Sequence, residues 1–162
     1  MNRRNIALVL FCLAASGAHA ATSWQGTVTH VTDGDTLWVK PFRGGKALKI
    51  RVHGIDAPEI CQAGGQASRA ALANRVRGRP VELTPQRVDD YGRVIATVHL
   101  AGEDMAGWMV ASGQAWSYRF RRDGGPYLQQ QALAKAHRRG LFADPGALEP
   151  RLFRQRHGLC KS

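Results

Sequence analysis

The hexapeptide Leu48-Lys49-Ile50-Arg51-Val52-His53 alternates apolar and basic residues without interruption. Successive side chains of a β-strand point to opposite faces, so Leu48, Ile50 and Val52 face one way and Lys49, Arg51 and His53 the other. The segment reads as a half-buried strand, with Arg51 directed away from the core that Ile50 and Val52 enter. Weaker versions of the pattern cover Trp24–Val31, 36–39, 80–83 and Val94–Leu100. Gly34, Gly44-Gly45 and the turn Asp90-Tyr91-Gly92 break them apart, which makes five strands.

Helical spacing takes over elsewhere. Alanines with Leu72 and Val76 form an apolar stripe over 66–77, and Met105, Trp108, Met109 and Ser112 recur at helical intervals. A third helix over 127–139 is stopped by Gly140, in the usual place for a helix-ending glycine. Five strands, one helix between the third and fourth, and two helices after the last predict a mainly β (β+α) fold. It is a small closed barrel with three α-helices packed on it. No internal repeat is present.

The first twenty residues read as an export signal. Asn2-Arg3-Arg4 is a basic start, Ile6 to Gly17 is apolar, and Ala18-His19-Ala20 suits cleavage after Ala20. The apolar run is shorter than the about 20 residues a membrane span needs, so no stable membrane association is expected. The expected layout is a signal peptide at 1–20, one domain at 21–143 and a basic tail at 144–162, in a periplasmic or secreted protein. The tail carries Arg151, Arg154, Arg156 and Lys161, is broken by Pro145 and Pro150, and is expected to be loosely ordered unless Cys160 anchors it. Its arginines read as a solvated face that adds nonspecific attraction for phosphate.

Loss of the signal removes Arg3, Arg4 and no acid, so the formal charge falls from +11 to +9. A basic single domain favours polyanions: nucleic acid first, anionic membrane or cell-wall polymer second. Of three cysteines, only Cys61 and Cys160 remain after Cys12 leaves with the signal. In a compartment that permits disulfides they allow one internal pairing, between the tail and the segment just after Glu59. Two unpaired or partner-linked thiols are the alternative.

Acidic residues are scarce, yet Asp33, Asp35, Asp56 and Glu59 crowd into two short segments, Asp33-Gly34-Asp35-Thr36 and Gly54-Ile55-Asp56-Ala57-Pro58-Glu59. Each segment adjoins a predicted strand, so both reach the rim of one barrel. Like charges gathered there repel unless a cation or a buried proton relieves them. With no cluster of histidine or cysteine beside them, the carboxylates suit a hard cation, Ca²⁺ or Mg²⁺. Two carboxylates fall short of the about 6–8 oxygens Ca²⁺ takes, leaving places for backbone carbonyls, water and a substrate phosphate. Arg51 shares its strand with the approach to Asp56, and Arg93 follows the turn at Asp90-Tyr91-Gly92. Two guanidinium groups beside a metal suit a phosphodiester, because they neutralise its non-bridging oxygens. Ion pairing of these arginines with the same carboxylates is the plainer alternative. Asp33 and Asp89 equally suit turn carboxylates, and the four tryptophans suit packing more than base stacking.

In order and spacing, Asp33-Gly34-Asp35-Thr36, Arg51-Val52-His53-Gly54-Ile55-Asp56-Ala57-Pro58-Glu59, Asp89-Asp90-Tyr91-Gly92-Arg93, Gly113-Gln114-Ala115-Trp116 and Gly140-Leu141-Phe142 resemble the staphylococcal nuclease (thermonuclease) family. The resemblance covers 24 to 142. It implies a five-stranded OB-fold barrel with three α-helices, and Ca²⁺-dependent cleavage of DNA and RNA to 3′-phosphate and 5′-hydroxyl ends by a monomer. By that likeness Asp35, Asp56 and the Ala57 carbonyl hold the metal, with Asp33 in support. Glu59 activates water, Arg51 and Arg93 clamp phosphate, and Tyr91 and Tyr118 lie near substrate. Three features depart from the best-known member, one being that the chain after Trp116 reads Tyr118-Arg119-Phe120-Arg121 where stacking tyrosines are expected. The stretch from Glu59 to Gly65 is shorter than its flexible loop and carries Cys61, and Asp90 stands where that member has a basic residue. A non-catalytic OB-fold that binds nucleic acid, and a basic envelope protein with structural calcium, are the competing functions.

Overall fold

The computed structural model describes residues 22–118 and 124–160. The export segment expected at 1–20, residues 119–123 beyond Tyr118, and Lys161 lie outside them. The chain runs β1 (Trp24–Val31), β2 (Thr36–Pro41), β3 (Leu48–Val52), β4 (Ile55–Asp56), α1 (Gly65–Val76), β5 (Pro80–Val88), β6 (Val94–Leu100), β7 (Glu103–Asp104), α2 (Met105–Ala111), β8 (Trp116–Ser117), α3 (Leu128–Ala136) and α4 (Pro150–His157). A 3₁₀ turn at Gly140–Ala143 separates the last two helices.

Strands β3, β2, β1, β5 and β6 pair antiparallel in that order. The parallel pairing of β3 with β6, Ile50 opposite Val94 and Val52 opposite Ala96, closes the ring. A closed ring leaves no long unpaired edge, which is how small β-domains avoid open-ended association. This is the expected OB-fold barrel. Pro85 is accommodated because β5 shifts register between Pro85 and Arg87, a place where a missing ladder donor is tolerated.

The inward residues are those the alternation selects. Ile50 and Val52 are buried with Val28, Leu37, Val39, Leu83 and Val98 in one cluster, joined by Leu72 and Val76 of α1 and Met105 and Met109 of α2. Each such side chain contributes about 1.5–3 kcal/mol relative to leaving it in water. Leu48 departs from the pattern: where β3 begins, beyond the Gly44-Gly45 turn, it is 38 % exposed.

The helices number four among the described residues, not three. The additional one, α4, lies in the tail. Pro150 was expected to break the chain there, but it occupies the first turn of α4. At that position the missing N–H is not needed and the fixed φ favours a helical start. The tail is anchored as well: Cys61 and Cys160 form a disulfide across 99 residues of sequence. Gln62 Nε2 also donates to the Leu148 carbonyl at 2.6 Å.

Candidate active site

Local turn chemistry delivers each acidic segment to the barrel rim. Between β1 and β2 the Asp33 carboxylate accepts the Asp35 N–H at 2.9 Å, and the Thr32 N–H bonds the Thr36 carbonyl, so the turn holds itself. Gly34 at its apex is pressed against α1. A Cβ there would lie 1.9 Å from Ser68 Oγ and 2.7 Å from the Ala57 methyl, so only glycine lets turn and helix meet. The Asp35 carbonyl in turn accepts the Val52 N–H at 2.8 Å, tying the turn to the end of β3.

Beyond β3 the chain reverses at Gly54, whose φ of +81° is the left-handed region that glycine enters freely. It emerges as β4, pairing Asp56 with Trp116 of β8. Asp56 thereby arrives beside Asp35. The Ala57 N–H donates to Asp35 Oδ2 at 2.7 Å, and Thr36 Oγ1 donates to Asp35 Oδ1 at 3.1 Å. Glu59 follows in a tight turn that enters α1, its N–H on Gln62 Oε1 at 3.2 Å.

Arg51 joins the two acidic segments. Its Nη1 lies 2.8 Å from Asp35 Oδ2 and its Nη2 3.2 Å from Asp56 Oδ1. Arg93 pairs elsewhere. Its Nε lies 2.8 Å from Asp89 Oδ2, and its guanidinium stands over the Tyr91 ring, 5.4 Å from the centroid. Asp89 holds its own turn by accepting the N–H groups of Tyr91 and Arg93. Burial acts to raise the Asp89 pKa, but the hydrogen bonds and charge of Arg93 outweigh it and hold the group below the usual carboxylate range.

All these groups line one cleft of about 570 Å³: Asp33, Asp35, Arg51, Asp56, Ala57, Glu59, Tyr91, Arg93 and Tyr118. Lys49 and Arg87 add positive charge to it. The aromatic rings of Tyr91 and Tyr118 are exposed at its border.

The site also contains a residue that sequence reasoning missed. Arg154 of α4 sends Nη2 to Asp56 Oδ2 at 2.9 Å and Nη1 to Glu59 Oε1 at 2.9 Å, with a longer bond from Nη1 to Asp56 Oδ1 at 3.2 Å. It was expected on a solvated basic face. The available signals were Pro150 starting a helix and Cys160 anchoring its far end, and neither indicates which of the tail arginines turns inward.

Burial drives the Asp35 carboxyl up to about 7, against the opposing charge of Arg51 and helped by the nearby Asp33. Asp56 is also raised by burial, with Arg154 pulling the other way. Two desolvated carboxylates sharing donors are a donor set of hard oxygens that a divalent cation would relieve. Among the described residues no three His, Cys, Asp or Glu side chains converge on one point. A cation here would therefore take most of its ligands from backbone, water or substrate.

A closed OB-fold barrel brings two buried carboxylates, an adjoining glutamate and several guanidinium groups into one rim cleft, groups whose chemistry can take a divalent cation and neutralise a phosphate. Residues 49–144 match the family model described as staphylococcal nuclease homologue. The chain is 35% identical to a Haemophilus influenzae protein named uncharacterized endonuclease, over 96% of this chain and 88% of that one. It is 35% identical to the Escherichia coli protein ParB, over 96% and 95%. A Shigella flexneri protein named micrococcal nuclease is 32% identical over 84% and 83%. The chain belongs to the staphylococcal nuclease family.

Proposed function

We propose that the protein is a nuclease that uses Ca²⁺ to hydrolyse DNA and RNA, leaving 3′-phosphate and 5′-hydroxyl ends. Its family and the names of its relatives support the nuclease class. The observation that carries the finer reading is the convergence of Asp35, Arg51, Asp56 and Glu59, from three segments of the chain, on one cleft lined by charges of both signs.

Asp35, Asp56 and the Ala57 carbonyl would hold the cation. When bound, it supplies a Lewis acid for a phosphate oxygen and a place to orient water. Glu59 accepts the proton of the water that adds to phosphorus; the P–O5′ bond breaks, and the leaving 5′ oxygen takes up a proton from solvent water. Arg51 and Arg93 neutralise the non-bridging oxygens, and the Asp89 contact at Nε fixes the direction of the Arg93 fork. Tyr91 and Tyr118 offer flat surfaces to bases at the border of the cleft. Asp33 supports Asp35 through the turn it closes. The protein acts after cleavage behind Ala20, in the periplasm or outside the cell, where the Cys61–Cys160 bond is stable. No helix among the described residues is long and apolar enough to cross a membrane.

The test is to incubate the purified protein with plasmid DNA and with RNA, in Ca²⁺ or in chelator, and to analyse the ends. Cleavage in Ca²⁺ only, with 3′-phosphate ends, is expected. Binding without cleavage would instead favour a non-catalytic OB-fold.

A further inference from the structure

Arg154 engages both oxygens of the Asp56 carboxylate. A carboxylate offers its strongest acceptor positions between its two oxygens, and Arg154 takes both, through Nη2 to Oδ2 and Nη1 to Oδ1. Arg51 shares the same Oδ1. Glu59 is engaged by the same Arg154 nitrogen that reaches Oδ1. A divalent cation approaching Asp56 therefore meets a guanidinium already seated there.

The covalent frame makes this contact persistent. The Cys61–Cys160 bond ties the segment after Glu59 to the far end of α4, and Gln62 holds the Leu148 carbonyl ahead of it. Both attachments are to the turn that carries Glu59. Arg154 is thus presented to Asp56 within one molecule, where its effective concentration is high without any strong affinity of α4 for the rim.

We propose that Arg154 is a tethered internal counter-cation that competes with the metal for Asp56, and so sets how tightly the site takes Ca²⁺. The proposal rests on the reading of Asp35 and Asp56 as metal ligands. Once displaced, the guanidinium stays at the mouth of the cleft, where it meets an incoming phosphate as a third arginine beside Arg51 and Arg93.

Calorimetric titration of the purified protein with CaCl₂ alone, without nucleic acid, tests this apart from catalysis. Arg154→Met should tighten Ca²⁺ binding by about ten- to a hundredfold, the equivalent of a charge-assisted hydrogen bond. Arg154→Lys keeps the charge without the two-pronged contact and should give a smaller gain. The double substitution of Cys61 and Cys160 by Ser keeps Arg154 but loosens its tether, and should shift affinity the same way. Unchanged or weaker Ca²⁺ binding in Arg154→Met, with native circular dichroism, would overturn the competition while leaving the metal reading intact. Absence of Ca²⁺ binding from wild type and Arg154→Met alike would overturn the metal reading and the proposal with it.

Discussion

Arg154 and Asp56, separated by 98 residues, form a two-pronged ion pair at 2.9 and 3.2 Å, and Arg51 reaches the same Asp56 oxygen from the barrel side at 3.2 Å. Asp56 is therefore held between a guanidinium from β3 and one from the tail. The two arginines differ in what they join: Arg154 links Asp56 to Glu59, whereas Arg51 links Asp56 to Asp35.

Arg51→Lys should lower stability, since one ammonium cannot span both carboxylates as the planar fork does. Lysine keeps the charge and one contact, so the loss is that of one hydrogen bond to a charged group, about 1.5–3 kcal/mol. Urea unfolding in chelator should show that loss, and added Ca²⁺ should recover part of it by supplying the missing contact.

Gly34→Ala places a methyl where Ser68 Oγ and the Ala57 methyl already stand. The turn or α1 must shift, at a cost of about 1–3 kcal/mol by the usual measure of overpacking. Because Asp35 is the next residue, Ca²⁺ affinity should fall together with the unfolding midpoint. Unchanged values of both would show that turn and helix are not in tight contact.

The pH dependence has a definite sign. Asp35 stands near 7 when folded, against 3.8 ordinarily. Between those values the folded protein keeps a proton that the unfolded chain has released. This contribution is therefore fully present below about pH 3.8 and is lost as the pH rises through 7. In chelator, wild type should lose stability relative to Asp35→Asn over this window, by at most about 1.4 kcal/mol per pH unit. Urea titrations at several pH values check it. A gap between the two proteins that does not change with pH would contradict the burial of an ionisable Asp35.

The Cys61–Cys160 bond closes a long loop, 99 residues of sequence, so replacing both residues by Ser should cost about 2–5 kcal/mol. Titration of the denatured protein lacking residues 1–20, and so Cys12, with a thiol reagent should find no free thiol before reduction and two after.

The barrel was legible because its information is local. Alternation around Ile50 and Val52, glycines at the turns and helical spacing over Leu72 and Val76 are each written in consecutive residues. The carboxylate cluster was legible for the same reason: Asp35 and Asp56 each adjoin a strand, and strands of one barrel share a rim. The helix α4 was not, because Pro150 reads alike as the end of one element and the start of another. The placement of Arg154 depends on contacts across the whole chain, fixed by a disulfide and by Gln62. No local pattern distinguishes it from Arg151 or Arg156. Arg93 shows the opposite limit. Sequence places it beside a tight turn, but only packing reveals that its Nε is held by Asp89 rather than by the clustered carboxylates.

The central claim is that this cleft cleaves phosphodiesters with Glu59 as proton acceptor, and Glu59→Gln tests it most directly. Turnover of single-stranded DNA in saturating Ca²⁺ should fall by about 10²–10⁴-fold, the usual worth of a positioned general base. Binding of the same strand, measured without Ca²⁺, should stay within a few-fold because the arginines and tyrosines remain. Turnover equal to wild type would contradict the account, since the proton would then be leaving by another route.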